Sequence, residues 1–292
     1  MKRIKDKNIS GEKPLQGLAS LHLEGISFGG REPGEYPLKD SKKVELTHCS
    51  FEMPFAVWNC RDIKMDHITF SEKARSPIWH CHDIIVTDSR FLGVKAVREC
   101  ENTVFQDAFF QSEELAWKCG HIDFKHCIIQ TQYLLFCARD VRMENTNATG
   151  EYALQYVEGG ELHECVIISQ DALLHCKDIT IYDSDINGDR LGWYSTNLKL
   201  IRCRIFGNQP LCYAHNVTIE DCVMEGCEGA FEYSEIVKAT IAGSIKSIKN
   251  PDKGTIEVDR AEAIIQDRDR RDVLGEVKII ERGKIADNAK PN

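Results

Sequence analysis

The sequence predicts an all-β fold, a single-stranded right-handed parallel β-helix: a solenoid of about 12 coils with a period of about 19 residues. Three observations predict it. A pattern reading apolar-x-apolar-x-x-small-x-large apolar recurs with starts at 44, 63, 84, 103, 122, 141, 160, 179, 198 and 217. Its two leading apolar residues lie two apart, which is the periodicity of a strand. No window sustains the i, i+3, i+4 spacing of a helix. Units repeating at such a period bury their apolar side only by stacking on the next unit. The right hand follows from the rule for parallel crossovers.

The elements follow in chain order. Gly11-Glu12-Lys13-Pro14-Leu15 and Gly34-Glu35-Tyr36-Pro37-Leu38 lie 23 apart, so the first turns are longer. The regular coils begin with Val44-Glu45-Leu46-Thr47-His48-Cys49-Ser50-Phe51 and Ile63-Lys64-Met65-Asp66-His67-Ile68-Thr69-Phe70. Passing from period two to a gap of three and back predicts a strand, a bend and a short second strand. The other half of each coil reads Ala56-Val57-Trp58-Asn59-Cys60, then Pro77-Ile78-Trp79-His80-Cys81, and is expected to have strand character too. Beyond about residue 236 the pattern weakens. Ile256-Glu257-Val258 and Val277-Lys278-Ile279 read as final, irregular coils. The expectation is one β-helix domain over 1–292, with regular coils over 10–245 and irregular coils and tail over 246–292.

Composition narrows the function. Of 292 residues, 42% are hydrophobic, ample for a solenoid core, and the net charge is −9. With no basic stripe to neutralise phosphates, no nucleic-acid partner is expected. No apolar stretch has the length of a signal peptide or a membrane span, so no membrane partner is expected either. The thirteen cysteines form no Cys-x-x-Cys pair. They fall into two columns, Cys49, Cys127, Cys165, Cys203 and Cys222, and Cys60, Cys81, Cys100, Cys119 and Cys176, where other coils hold Ala, Ser, Thr or Val. Exchange with small residues marks them as volume choices, structural free thiols suited to a reducing cytoplasm.

Functional candidates come from the columns that must point outward. In the second half-coil the column from Leu38 and Val57 to Phe231 is apolar throughout and points inward. The next column therefore faces out, and it holds all four tryptophans: Trp58, Trp79, Trp117 and Trp193. The adjacent column adds Tyr156, His175, Tyr194 and Tyr213. These eight are the candidate substrate-binding residues, an aromatic face suited to sugar rings. The plain alternative is a face covered by tail segments of the chain or by a partner subunit. His80, Arg98, Glu99 and Lys118 come from three consecutive coils between Trp79 and Trp117. They supply the base, the charge neutraliser and the acid of a lyase-like reaction. A salt-bridge ladder is their plain alternative. Glycosidases want two positioned carboxylates, and this set has one.

A further polar column runs His48, His67, Asp88, Asp107, His126, Asn145, Glu164, Asp183, Arg202, Asp221. Its alternating charges read as solvated pairs on successive strands. His48 and His67 stack one coil apart, but no third ligand is evident, so no metal site and no cofactor are expected. Glycine-rich phosphate loops, His-Glu-x-x-His and Gly-x-Ser-x-Gly are all missing.

The coil pattern resembles the pectin-lyase-like parallel β-helix superfamily. The two Gly-Glu-x-Pro-Leu copies, followed by Pro54-Phe55 and Pro77-Ile78-Trp79, resemble a bacterial family of β-helix proteins recorded only as a domain of unknown function. The resemblance covers about residues 10–245 and implies the fold without an activity. Superfamily polygalacturonases carry Asn-Thr-Asp where Asn145-Thr146-Asn147 stands here, and Arg-Ile-Lys where Arg202-Cys203-Arg204 stands. Asp66-His67 is the sole echo of the pectate lyases. No catalytic residue is carried over. The reading is a cytoplasmic bacterial protein that binds or modifies a carbohydrate, an oligosaccharide or a sugar-containing small molecule, along the aromatic face. The alternative is a noncatalytic, homo-oligomerising scaffold whose aromatic ladder is a protein–protein interface.

Overall fold

A computed structural model describes residues 2–267 and 277–282. The fold is an all-β parallel solenoid of about 14 turns, slightly more than expected, at a period near 19 residues. The chain divides into two compact units, Met1–Gly150 and Glu151–Asn292. No helix among the described residues is long and apolar enough to cross a membrane.

In the first unit the long side of each coil is a six-residue strand. Lys42–Thr47, Arg61–Asp66, His82–Thr87, Glu101–Gln106, Gly120–Lys125 and Arg139–Glu144 pair in parallel, each with the next. Val44, Ile63 and Ile84 share one register, and so do Leu46, Met65 and Val86. A second, shorter ladder runs through Ser50–Phe51, Thr69–Phe70, Arg90–Phe91, Phe109–Gln111, Ile128–Gln130 and Asn147–Gly150. Both ladders turn their apolar residues inward. Ile63, Ile84, Val86, Phe70 and Phe91 have no exposed surface. The extra turns beyond the expected twelve include the earliest ones, where Lys2–Lys5 pairs with Ala19–Glu24 and Asn8–Ile9 with Ser27–Phe28.

The second unit repeats the plan. Glu158–His163, Lys177–Tyr182, Thr196–Ile201 and Val217–Met224 form its long ladder. The final coils lengthen: Glu235–Lys249 pairs with Lys253–Ile265, and the latter with Val277–Glu281. Ile256 and Val258 are buried there, as the terminal fragments suggested. The rest of the expected irregular tail, 268–276 and 283–292, lies outside the described residues.

The second half-coil departs from its expected strand. In the first unit it is two residues long, as in Val57–Trp58, Ile78–Trp79 and Val97–Arg98. In the second unit Ala172–Cys176 and Leu191–Tyr194 contain only turns. The reason is backbone conformation. Left-handed residues bracket this side of the coil, and their spacing shrinks. They lie four apart at Phe55/Asn59, Ser76/His80 and Lys95/Glu99, and two apart at Ala116/Lys118, Leu173/His175 and Leu211/Tyr213, all with φ between 44° and 62°. Two such bends leave one residue between them, too few for a strand. Gly192 takes the same bend at φ +67°, where a Cβ would press on Leu211 Cδ2 at 2.8 Å and Leu198 Cδ1 at 2.9 Å, side-chain ends free to shift. Leucine stands at this bend one coil before and after.

The cysteines behave as volume fillers. Every one is a free thiol, and all but Cys137 are buried. Several of their sulfurs donate to carbonyls of the preceding coil, as Cys60 does to Leu38 at 2.9 Å and Cys81 to Val57 at 3.1 Å. Burial raises Cys127 to about 11 and Cys176 to about 12, so these stay as unreactive thiols.

Candidate functional site

The predicted outward column exists, but its rings are half-buried against one another. In the first unit Trp58 and Trp79 pair in register on consecutive coils with centroids 4.4 Å apart. Tyr36 and Phe55 meet Trp58 edge-on at 5.3 and 5.6 Å. Arg98 comes next in the column, and its guanidinium sits between two indoles, 5.3 Å from Trp79 and 5.6 Å from Trp117. Trp117 then packs, tilted by 34°, against Phe136 with centroids 4.5 Å apart. The indole faces are thus used by their neighbours, since the coil spacing brings rings on adjacent coils into contact.

Of the four catalytic candidates, the structure pairs two. His80 Nδ1 lies 3.3 Å from Glu99 Oε2, with the His80 ring stacked on Trp79. Arg98 is withdrawn: its side chain is 18% exposed, its Nη1 reaches Glu114 Oε2 at 3.8 Å, and Lys95 shares that carboxylate at 3.1 Å. Arg98 Nε and the neighbouring Trp79 Nε1 are buried without a hydrogen-bond partner among the described residues. Lys118 is exposed. All of His80, Glu99 and Lys118 occupy left-handed bends, φ 49–54°, which aim their side chains outward from successive coils.

The second unit carries a different surface. Tyr156, His175, Tyr194, Tyr213 and Tyr233 occupy the same bend on successive coils, φ 55–58°. Backbone bonds fix the rise, from Tyr156 N to Leu174 O at 2.9 Å and from His175 N to Trp193 O at 2.8 Å. Their rings stack almost parallel, with centroids 5.0, 5.0 and 4.9 Å apart and planes within 13–17° through Tyr213, then 5.4 Å to Tyr233. Trp193 buttresses the row edge-on against Tyr194 and Tyr213, and its Nε1 donates to Gln209 O at 2.7 Å. Tyr156 and Tyr194 are each 45% exposed, so the row presents edges rather than faces. Burial, then the Glu232 carboxylate, raises the Tyr213 hydroxyl above its ordinary value, which keeps it a neutral donor.

One arrangement was not foreseen as a site. Among the described residues a groove of about 400 Å³ opens along the polar bend of the first unit, lined by His67, Asp88, Asp107 and His126 together with Phe109 and Ile128. The column itself was visible in the sequence. What was not visible is that Asp66, from the preceding strand position, joins His67 and Asp88 there. In the second unit the same column carries one bidentate ion pair, in which Arg202 reaches both oxygens of Asp183 at 2.6 Å.

A family described as a protein of unknown function, DUF3737, matches residues 2–279. The chain belongs to this family. No curated protein matches it. Among solved structures, this DUF3737 chain is similar to PfbA, a surface adhesin of Streptococcus pneumoniae, seen in two structures. One shares 8% identity, covering 91% of this chain and 84% of that one at a TM-score of 0.36. The other shares 10%, covering 96% and 90%, at 0.39. It is also similar to the A-module of the Azotobacter vinelandii mannuronan C-5 epimerase AlgE4, at 10% identity, covering 97% and 87%, with a TM-score of 0.35. Likeness at this level transfers no residue role to the DUF3737 chain.

Proposed function

We propose that the protein binds a hydroxyl-rich chain, an oligosaccharide, edge-on along the tyrosine and histidine row of its second unit. The observation that carries this reading is the row itself: Tyr156, His175, Tyr194 and Tyr213 in one line, about 5 Å per step, with ring edges and polar tips outward. Ring edges pack against the C–H groups of a sugar, and hydroxyl and imidazole tips exchange hydrogen bonds with its hydroxyls. Stacking holds the rings before any ligand arrives, so little side-chain freedom is lost on binding. The tryptophans of the first unit, spent on each other and on Arg98, serve less well as a platform. Turnover by His80, Arg98, Glu99 and Lys118 has weaker support than binding, because Arg98 is clamped between indoles.

The test is calorimetric titration of the intact chain with a panel of oligosaccharides, repeated on Tyr194→Ala. Saturable binding that weakens at least about tenfold in the variant, a loss of about 1.4 kcal/mol, supports the reading. Absence of binding across the panel by a monomeric protein removes it. A second reading has its own observation: half-buried Leu174 and Trp193 flank the exposed row and widen it into a strip fit for another copy of the chain. A solution mass that falls on dilution, and falls to the monomer in Tyr194→Ala, selects that reading.

A further inference from the structure

Asp66, His67 and Asp88 each place one potential ligand atom within 4.8 Å of the other two. The fold assembles them from two coils. Asp66 ends the strand Arg61–Asp66, and His67 follows at a left-handed bend, φ 54°. Asp88 occupies that same bend one coil on, φ 47°. Parallel pairing sets Asp66 opposite Thr87, whose Oγ1 donates to Asp66 Oδ1 at 2.6 Å. The other carboxylate oxygen, Asp66 Oδ2, lies 3.0 Å from His67 Nδ1. The Thr87 bond fixes the Asp66 carboxyl, leaving Oδ2 turned toward His67.

Asp88 is the unexplained member. Its neighbours in the bend are His67 on one coil and Asp107 on the next, and Asp66 lies diagonally beside it. Like charges on adjacent strands destabilise. In the same column Asp183 has Arg202 and Asp107 has His126 at 3.3 Å one coil on, whereas Glu164, beside Asp183, shares with Asp88 the lack of a side-chain partner among the described residues. Among the described residues no side chain bonds to Asp88. The nearby Arg90 turns its guanidinium over the Phe109 ring instead, at 4.9 Å. The groove of about 400 Å³ opens beside Asp88 and His67.

We propose that Asp66, His67 and Asp88 bind one divalent transition-metal ion, of the zinc or manganese kind, with its remaining positions open to the groove. One imidazole nitrogen and two carboxylates suit borderline ions. Calcium wants six to eight oxygens, which this set does not supply. The ion sits between His67 Nδ1 and Asp66 Oδ2, 3.0 Å apart in its absence, and offsets the like charges of Asp66 and Asp88. Thr87 orients Asp66 from behind, as outer partners of metal ligands do.

The intact chain, dialysed against chelator, is titrated calorimetrically with zinc chloride and with manganese chloride. The expected result is one ion per chain. His67→Asn and Asp88→Asn each weaken it at least about tenfold, and Thr87→Val weakens it by roughly 10–100-fold. Asparagine tolerates the left-handed bend, so neither ligand variant is expected to unfold appreciably below the wild-type temperature when metal-free. Asp88→Asn, which removes a like charge, is expected to unfold at or above it. His163→Asn, an exposed histidine of the second unit, is expected to bind as the wild type does. Three results overturn the proposal: no uptake of either ion, undiminished binding in both ligand variants, or equal loss in His163→Asn.

Discussion

In Met1–Gly150 the interior is stacked phenylalanine. Phe28, Phe51, Phe70, Phe91 and Phe110 succeed one another with centroids 4.5, 5.0, 4.8 and 4.6 Å apart, all buried. In Glu151–Asn292 the same interior column holds Ile167, Ile186 and Ile205, and the parallel ring stack stands on an outer bend instead. One coil plan therefore accepts a ring ladder on either side of the backbone. Inside, the rings fill volume that an aliphatic residue also fills. Outside, folding does not ask for rings, and a row of them that stays 45% exposed at two positions is the premise of the binding proposal.

The largest expected effect tests that contrast directly. Phe91→Ala removes a buried ring and leaves a cavity, which costs about 3–5 kcal/mol. Tyr194→Ala removes an outer ring that stacks on two neighbours, which costs about 1 kcal/mol. Urea midpoints with unchanged m-values measure both. Equal losses break the comparison, because the outer row is then a structural element and the binding proposal loses its premise.

How much of this the sequence carried depends on the residue. Burial of Ile84, Val86 and Phe91 follows from spacing alone, since period two decides the face. The length of the second half-coil does not follow, because the bends that set it fall at Phe55, Lys95, Ala116, Leu135, Leu173 and Leu211, residue types that do not mark φ > 0. A different bend, at the start of the long strands, was legible in Asp62, Asp83, Asn102, His121, Asp140, Asp178 and Asn197, types enriched in that conformation. Column membership of the aromatic residues was legible, whereas the covering of indole faces was not, because it depends on side-chain tilt. The meeting of Asp66 with Asp88 was hidden for another reason. They are diagonal neighbours 22 apart, across the one step of 21, and a search along columns passes them by.

The bends themselves give the next effect in size. Lys118 sits at φ 54° with an exposed side chain. Lys118→Val places a β-branched residue there at a cost of about 1–3 kcal/mol, while Lys118→Gly is expected to fall within about 1 kcal/mol of the wild type. If valine is as well tolerated as glycine, the bends do not dictate the shape of the second half-coil, and the contrast between its four-residue and two-residue spacings needs another cause.

A smaller effect sharpens the difference between the outer faces. Arg98→Ala removes both indole contacts and is expected to cost about 1–2 kcal/mol, with a changed tryptophan emission. Arg98→Lys restores only part of it, since an ammonium does not stack as a flat guanidinium does. Oligosaccharide binding by the second unit's row is expected to be unchanged in both variants. Binding that is lost in Arg98→Ala moves the ligand to the first unit's face and the catalytic quartet back into play.

The smallest effect depends on pH. Thr87 Oγ1 donates to Asp66, so folding favours the ionised carboxyl and lowers its pKa. A carboxyl depressed on folding contributes stability that is whole above the unfolded value of about 3.9 and fades as the pH falls through the folded value. Thr87→Val removes that contribution, which for a partly exposed group is under about 1 kcal/mol once screening is counted. Urea midpoints for the wild type and the variant are therefore expected to differ by a constant amount above pH about 4 and to converge below it. Asp183 has the same sign through Arg202, and Arg202→Ala is expected to show the same convergence, flattened by salt. A gap that holds constant to pH about 2 means that Thr87 stabilises the fold by its packing and not by favouring the ionised Asp66.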